Sequence, residues 1–188
     1  MISDTILTTQ QMYRILLDLS SHPGKIATFR DETINNTSYS DALIATTNTL
    51  FDNEIAFYME NEQESKVISA ITGAHRTNII AESGFVITTE TSLSTAQLLQ
   101  LNKGTLLSPE KSSTLMLEIE SIGVGYLYRL TGPGIKHHSD LQLSISPEII
   151  ERRTQMCEEF PMGIDLIICD KDNHIVFIPR TTNMEVLK

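Results

Sequence analysis

Apolar residues recur with two different periods along this chain, and the changes of period divide it into elements. Met12, Ile15, Leu16 and Leu19 fall at helical spacing, which predicts an amphipathic helix over residues 10–19, ended by Ser20, Ser21, His22, Pro23 and Gly24. Residues 25–29 read as a short strand and the polar residues 31–37 as a loop. Ser38 or Ser40 caps a second helix running to about residue 51 through Leu43, Ile44, Thr47 and Leu50. Beyond a turn at 52–54, Ile55-Ala56-Phe57-Tyr58-Met59 is a short buried strand. Residues 62–72 form a helix with Val67, Ile68 and Ile71 on one face, ended by Gly73. Residues 78–81 and 85–87 are strand candidates around Ser83-Gly84, and Ser94 opens a helix through Leu98, Leu99 and Leu101.

The second half is richer in strand patterns. Gly104-Thr105 starts an extended piece and residues 108–111 make a turn. Strands at 114–119 and 126–130 are joined as a hairpin by Ser121-Ile122-Gly123-Val124-Gly125, and Thr131-Gly132-Pro133-Gly134 is a further loop. Residues 147–159 form a helix with Pro147 in its first turn. Last come two apolar runs, Ile164 with Leu166, Ile167 and Ile168, then Ile175 to Ile178, flanking a polar Asp170-Lys171-Asp172-Asn173-His174 turn. This is the pattern of two buried strands in a hairpin. Helices and strands alternate first and strands cluster later, which predicts an α/β fold with a mixed central sheet covered by helices. No repeat or linker interrupts it, so residues 1–188 are expected to form one domain. Strand order is not readable from the pattern.

Composition narrows the function. The 188 residues are 40% hydrophobic, enough for a packed core, and carry a formal net charge of −10. Phosphate backbones require clustered Lys and Arg, so a nucleic-acid partner is not expected. Two cysteines, Cys157 and Cys169, lack metal-ligand spacing and nearby histidines, and read as buried structural thiols. There is no secretory-leader pattern and no apolar run of membrane-spanning length, so the expected location is the cytoplasm.

Three stretches hold candidate chemistry. In Arg129-Leu130-Thr131-Gly132-Pro133-Gly134-Ile135 a strand ends in glycines whose amides could approach an anion, with Arg129 adding charge; the same residues also make an ordinary turn. Asp165 lies inside an apolar strand and Arg180 follows the facing one, so the two either pair with each other or line a polar site with Thr181 and Thr182. His75-Arg76-Thr77-Asn78 either presents donors to an anion or finishes a helix whose C-terminal dipole suits cations. His137-His138 are adjacent and would diverge on a strand, so no metal site is expected. Walker A, Gly-x-Gly-x-x-Gly, Gly-x-Ser-x-Gly and His-Glu-x-x-His patterns are absent, and neither Lys103 nor Lys111 stands out as a Schiff-base residue.

Ordered along nearly the whole length, several motifs resemble the H subunit of the bacterial carbon–phosphorus lyase complex of phosphonate utilisation. They are Tyr13-Arg14 with Leu17 and Pro23-Gly24; Gly104-Thr105, Pro109-Glu110 and Thr114-Leu115; Arg129-Leu130-Thr131-Gly132-Pro133-Gly134-Ile135; Phe160-Pro161-x-Gly163-Ile164-Asp165-Leu166-Ile167; and Ile178-Pro179-Arg180-Thr181-Thr182-x-x-Glu185-Val186. Arg76 within His75–Asn78 departs from the family pattern. The resemblance implies a three-layer fold related to the pyridoxal-phosphate-dependent transferases, in a family that does not use pyridoxal phosphate, and no cofactor is expected for this chain. It implies a homodimer, and partnership with the G, I and J subunits. Together with subunit L and ATP, the G, H and I group makes ribose 1-phosphonate 5-triphosphate from an alkylphosphonate, releasing adenine. The nucleosidase chemistry is associated with subunit I, and J later breaks the carbon–phosphorus bond. No catalytic residue is implied here. Two roles follow as expectations: a structural or accessory subunit, or a phosphate- or phosphonate-binding subunit using Arg129, Thr131, Gly132, Gly134, Asp165, Arg180 and Thr181.

Overall fold

A computed structural model describes residues 2–30 and 37–187, with side chains of the first segment from residue 6 onward. The loop expected at 31–37 therefore falls almost wholly outside the described residues. Helix α1 (Ile2–Ser21) is longer than its apolar pattern and buries Met12, Leu16 and Leu19. Ser40 caps α2 (Asp41–Leu50) by accepting the Leu43 amide, and Asn61 caps α3 (Glu62–Thr72) by accepting those of Gln63 and Glu64. The buried face of α3 carries Ser65 and Ile68, while Ile71, expected inside, is exposed. Ser94 and Gln97 close a capping box on the single-turn α4 (Thr95–Leu98), and α5 spans Pro147–Met156.

Among the described residues, ten strands form two sheets. The larger has the order β1 (Ala27–Thr28), β9 (His174–Ile178), β8 (Asp165–Asp170), β5 (Thr114–Ile119), β4 (Phe85–Thr89), β2 (Ala56–Met59), β3 (His75–Arg76). Only β9 runs against the other six, so the sheet is mixed, as the sequence implied. The smaller sheet is antiparallel, in the order β10 (Asn183–Val186), β6 (Ile122–Thr131), β7 (Ser139–Leu143).

Strand alternation assigns the large sheet's two faces. Met116, Ile167, Cys169 and Ile175 meet Met12, Leu43, Ile44 and Ile68 of the three long N-terminal helices. Leu115, Leu117, Leu166, Ile168, Val176 and Ile178 face the other way. They pack on Tyr128, Leu130, Leu141 and Met184 of the small sheet and on Ile150 and Met156 of α5. The outer layer on this side is thus a three-stranded sheet with α4 and α5, where the sequence reading expected helices alone.

Three local expectations are corrected. Strands β5 and β6 lie in different sheets, so no hairpin joins them; Gly123-Val124-Gly125 belongs to β6, at a bulge where Ile122 and Tyr126 both oppose Leu143. Residues 78–81 do not form a strand: Ile80–Glu82 make one 3-10 turn. His75 and Arg76 do not finish α3; they form edge strand β3, where Arg76 Nε donates to the Met59 carbonyl at 3.3 Å.

Candidate functional site

The β8–β9 hairpin places Leu166 opposite Ile178, which brings Asp165 beside the residue just after Pro179. Asp165 and Arg180 consequently meet. Asp165 Oδ1 accepts the Arg180 backbone N–H at 2.7 Å and Nε at 3.3 Å, while Oδ2 accepts Nη2 at 2.6 Å. Arg180 Nη1 donates to the Pro109 carbonyl at 2.9 Å. Both side chains are about four-fifths buried (18% and 20% exposed), so the forked geometry is a shielded, charge-assisted pair.

Beneath this pair lies Arg153 of α5, 0% exposed. Its Nη1 donates to the Thr182 carbonyl at 2.6 Å, and Nη2 reaches the carbonyls of Pro179 at 2.6 Å, Ile164 at 3.2 Å and Ile178 at 3.5 Å. Burial pulls the guanidinium pKa down. Four carbonyl dipoles hold the charge, and in return one side chain fixes the turn between β9 and β10. Thr182 Oγ1 and Arg153 Nε are buried without a hydrogen-bond partner. Sequence reasoning missed Arg153; the available signal was its place three residues from both Ile150 and Met156, on the apolar face of α5.

The other expected cradle does not join this cluster through Arg129. That residue sits near the end of β6, where the strand register sets it opposite Asp140 on one side and Glu185 on the other. Its Nε and Nη2 pair with Asp140 at 3.0 and 3.2 Å on the open surface. Each partner moves the other's pKa, Arg129 up and Asp140 down. Thr131 ends β6 opposite Asn183. Gly132 and Gly134 do allow close approach, but of this chain's own backbone. A Cβ on Gly132 would come within 2.7 Å of the Thr181 carbonyl, and one on Gly134 within 2.7 Å of that of Ser21. Arg180, Thr181 and Thr182 line a groove of about 390 Å³ with Pro133, Cys157 and Phe160.

The carboxyl end of the parallel strands, where open α/β sheets bind ligands, has a different character. From neighbouring β2 and β4 the chain departs in opposite directions, towards β3 and β5. The residues Ser38 to Ser40 span this switch point. Ser38 N–H donates to Glu64 at 2.7 Å, and Ser40 N–H donates to Glu118, whose carboxylate also takes the Lys171 ammonium. Tyr39 is buried between them, and burial raises its pKa, with Glu64, Glu118 and Glu60 adding to the effect. Alongside opens a crevice of about 970 Å³ with Glu90, Glu118, Glu120 and Glu148 in its lining. Such a lining repels phosphate groups.

One compact set of potential metal ligands occurs among the described residues, Asp170, Asp172 and His174 in the β8–β9 turn. Asp170 is already occupied: its carboxylate accepts the backbone N–H groups of Ile122, Asp172 and His174 and contacts His174 Nδ1 at 2.9 Å. This is the wiring of a turn. His137 and His138 are both exposed and precede β7. Among the described residues no helix is long and apolar enough to cross a membrane.

Comparison with known proteins bears out the family resemblance. The family model for a bacterial phosphonate metabolism protein (PhnH) matches residues 1–185. The putative C-P lyase subunit protein HtxG of Stutzerimonas stutzeri is 28% identical over 181 residues, covering 94% of this chain and 86% of that protein. The alpha-D-ribose 1-methylphosphonate 5-triphosphate synthase subunit PhnH of Rhizobium meliloti (strain 1021) is 26% identical over 188 residues, covering 97% and 93%. The chain belongs to the PhnH family of bacterial phosphonate metabolism proteins.

Proposed function

We propose that this chain is a non-catalytic framework subunit of a carbon–phosphorus lyase complex, supporting the ribose 1-methylphosphonate 5-triphosphate synthase step of phosphonate catabolism. The names of both relatives support the complex and the step. One observation carries the framework role: Arg129, Arg153 and Arg180 are each bonded to oxygens of this chain, and the crevice at the sheet's carboxyl end is lined with carboxylates. A site for a triphosphate or a phosphonate needs cations and N–H donors directed at the ligand. In this reading the 188 residues act as one domain, form a homodimer and join G, I and J subunits in the cytoplasm. Kinship with the pyridoxal-phosphate-dependent transferase fold is part of the same proposal, supported by the seven-stranded sheet with its one reversed strand. Phosphate or phosphonate binding is a second reading, favoured by the groove that Arg180, Thr181 and Thr182 line. The test is adenine release from ATP and methylphosphonate by the purified chain, by its partner subunits and by the mixture. The framework role expects release only from the mixture; release by this chain alone overturns it.

A further inference from the structure

The crevice at the carboxyl end of the large sheet combines an apolar floor with an acidic rim. Its floor is apolar, with Leu93 and Ile149 partly open beside buried Leu117, Ile119 and Ile145. Its rim bears the carboxylates of Glu90, Glu120 and Glu148, with Glu118 below. One cation already lies in it: Lys171 extends from the β8–β9 turn, and its ammonium rests on Glu118 and the Ser38 carbonyl.

These features select an occupant. A phosphate or other anion is repelled by the rim. A single metal ion needs oxygens converging on one point, yet these carboxylates are held apart by separate donors. Glu90 takes the Ser144 hydroxyl and the Glu120 N–H, Glu148 takes the Thr95 hydroxyl at 2.9 Å, and Glu118 takes Ser40 N–H. Lysine and arginine side chains fit both surfaces, since their aliphatic stems cover apolar floor while the charged heads reach the rim. We propose that this crevice is the docking site for a basic, Lys/Arg-bearing segment of a partner subunit, which repeats on a larger scale what Lys171 does within the chain. The inference rests on the reading of this chain as a complex subunit, and it assigns that role to one surface.

The experiment adds the purified full chain to the co-purified partner subunits lacking it and measures affinity. Wild type is compared with Glu120→Lys/Glu148→Lys, the milder Glu120→Gln/Glu148→Gln, and Glu82→Lys, an exposed charge reversal outside the crevice. Each variant's thermal midpoint is checked first, and the glutamine pair serves if the lysine pair does not fold. Expected are a weakening of about a hundredfold for the lysine pair, about tenfold for the glutamine pair, none for Glu82→Lys, and weaker wild-type binding at higher salt. Wild-type binding that both paired variants match within about threefold overturns the docking site and leaves the subunit reading standing. Absence of wild-type binding overturns both. Thermal stabilisation of the free wild type by millimolar magnesium or calcium, lost in the glutamine pair, would give the crevice to metal ions and overturn the proposal.

Discussion

Arg180 grips Asp165 from two directions, with its backbone N–H at 2.7 Å from Oδ1 and its guanidinium Nη2 at 2.6 Å from Oδ2. The contact ties the start of β8 to the exit of β9, and through Arg180 Nη1 it also holds the Pro109 carbonyl in the 3-10 turn (Pro109–Lys111) ahead of β5. Removing either partner leaves the other's charge shielded from water without its counterpart. Asp165→Asn and Arg180→Met should each cost about 2–3 kcal/mol, and the double mutant should cost clearly less than their sum. Urea unfolding of the four proteins in a double-mutant cycle measures the coupling; additive costs would show that the pair contributes nothing jointly.

Arg153→Met should be among the more damaging substitutions, at about 3–5 kcal/mol. It removes the donor from the carbonyls of Pro179 and Thr182 at a side chain that is 0% exposed. Arg153→Lys should recover only part of this, because a single ammonium cannot span carbonyls on both sides of a planar fork. Thr182→Val, which removes a buried hydroxyl with no partner, should be neutral or slightly stabilising. Denaturant midpoints at unchanged slope test all three.

Arg129→Ala should leave the thermal midpoint unchanged, since the pair with Asp140 is open to solvent and screened. A large drop would mean that the β6–β7 register depends on this contact.

Stability should fall at alkaline pH. Tyr128 is buried and donates its hydroxyl to the Ile145 carbonyl at 2.6 Å; burial raises its pKa above the ordinary tyrosine value, as it does for Tyr39. Above pH about 10 the unfolded chain releases these protons while the folded chain retains them, so unfolding is increasingly favoured. The contribution is fully present below pH about 10 and is lost as pH rises from there through the raised folded values. Thermal midpoints across this range should decline, and Tyr128→Phe should flatten the decline while lowering the midpoint at neutral pH. An equally steep decline in the variant would locate the titration elsewhere.

Helices α1, α2 and α3 were legible through their helical apolar stripes, and the starts of α2 and α4 through the caps Ser40 and Ser94, although α4 ends after one turn at Leu98 where the sequence suggested a helix through Leu101. The buried strands β5, β8 and β9 were legible as short apolar runs between polar turns, and the β8–β9 register made the meeting of Asp165 and Arg180 one of two anticipated outcomes. The small sheet was not legible as a sheet. β7 and β10 bury only alternate residues, so Ser139, Asp140 and Gln142, or Asn183 and Glu185, dilute the pattern to that of a loop. Gly123 and Gly125 signal a turn as readily as a bulge, and nothing local tells a chain that folds back from one that crosses to another layer. Arg153 was hidden by its neighbours Glu151 and Arg152, among which one more charge reads as solvated surface.

In the framework reading, the cations expected to hold a phosphonate are committed to this chain's own oxygens. Calorimetric titration of the isolated chain with ATP and with methylphosphonate tests it most directly. The framework reading expects no saturable heat from either ligand. Saturable binding of either one, abolished by Arg180→Ala or Arg129→Ala, would contradict it and make the chain a ligand-binding subunit.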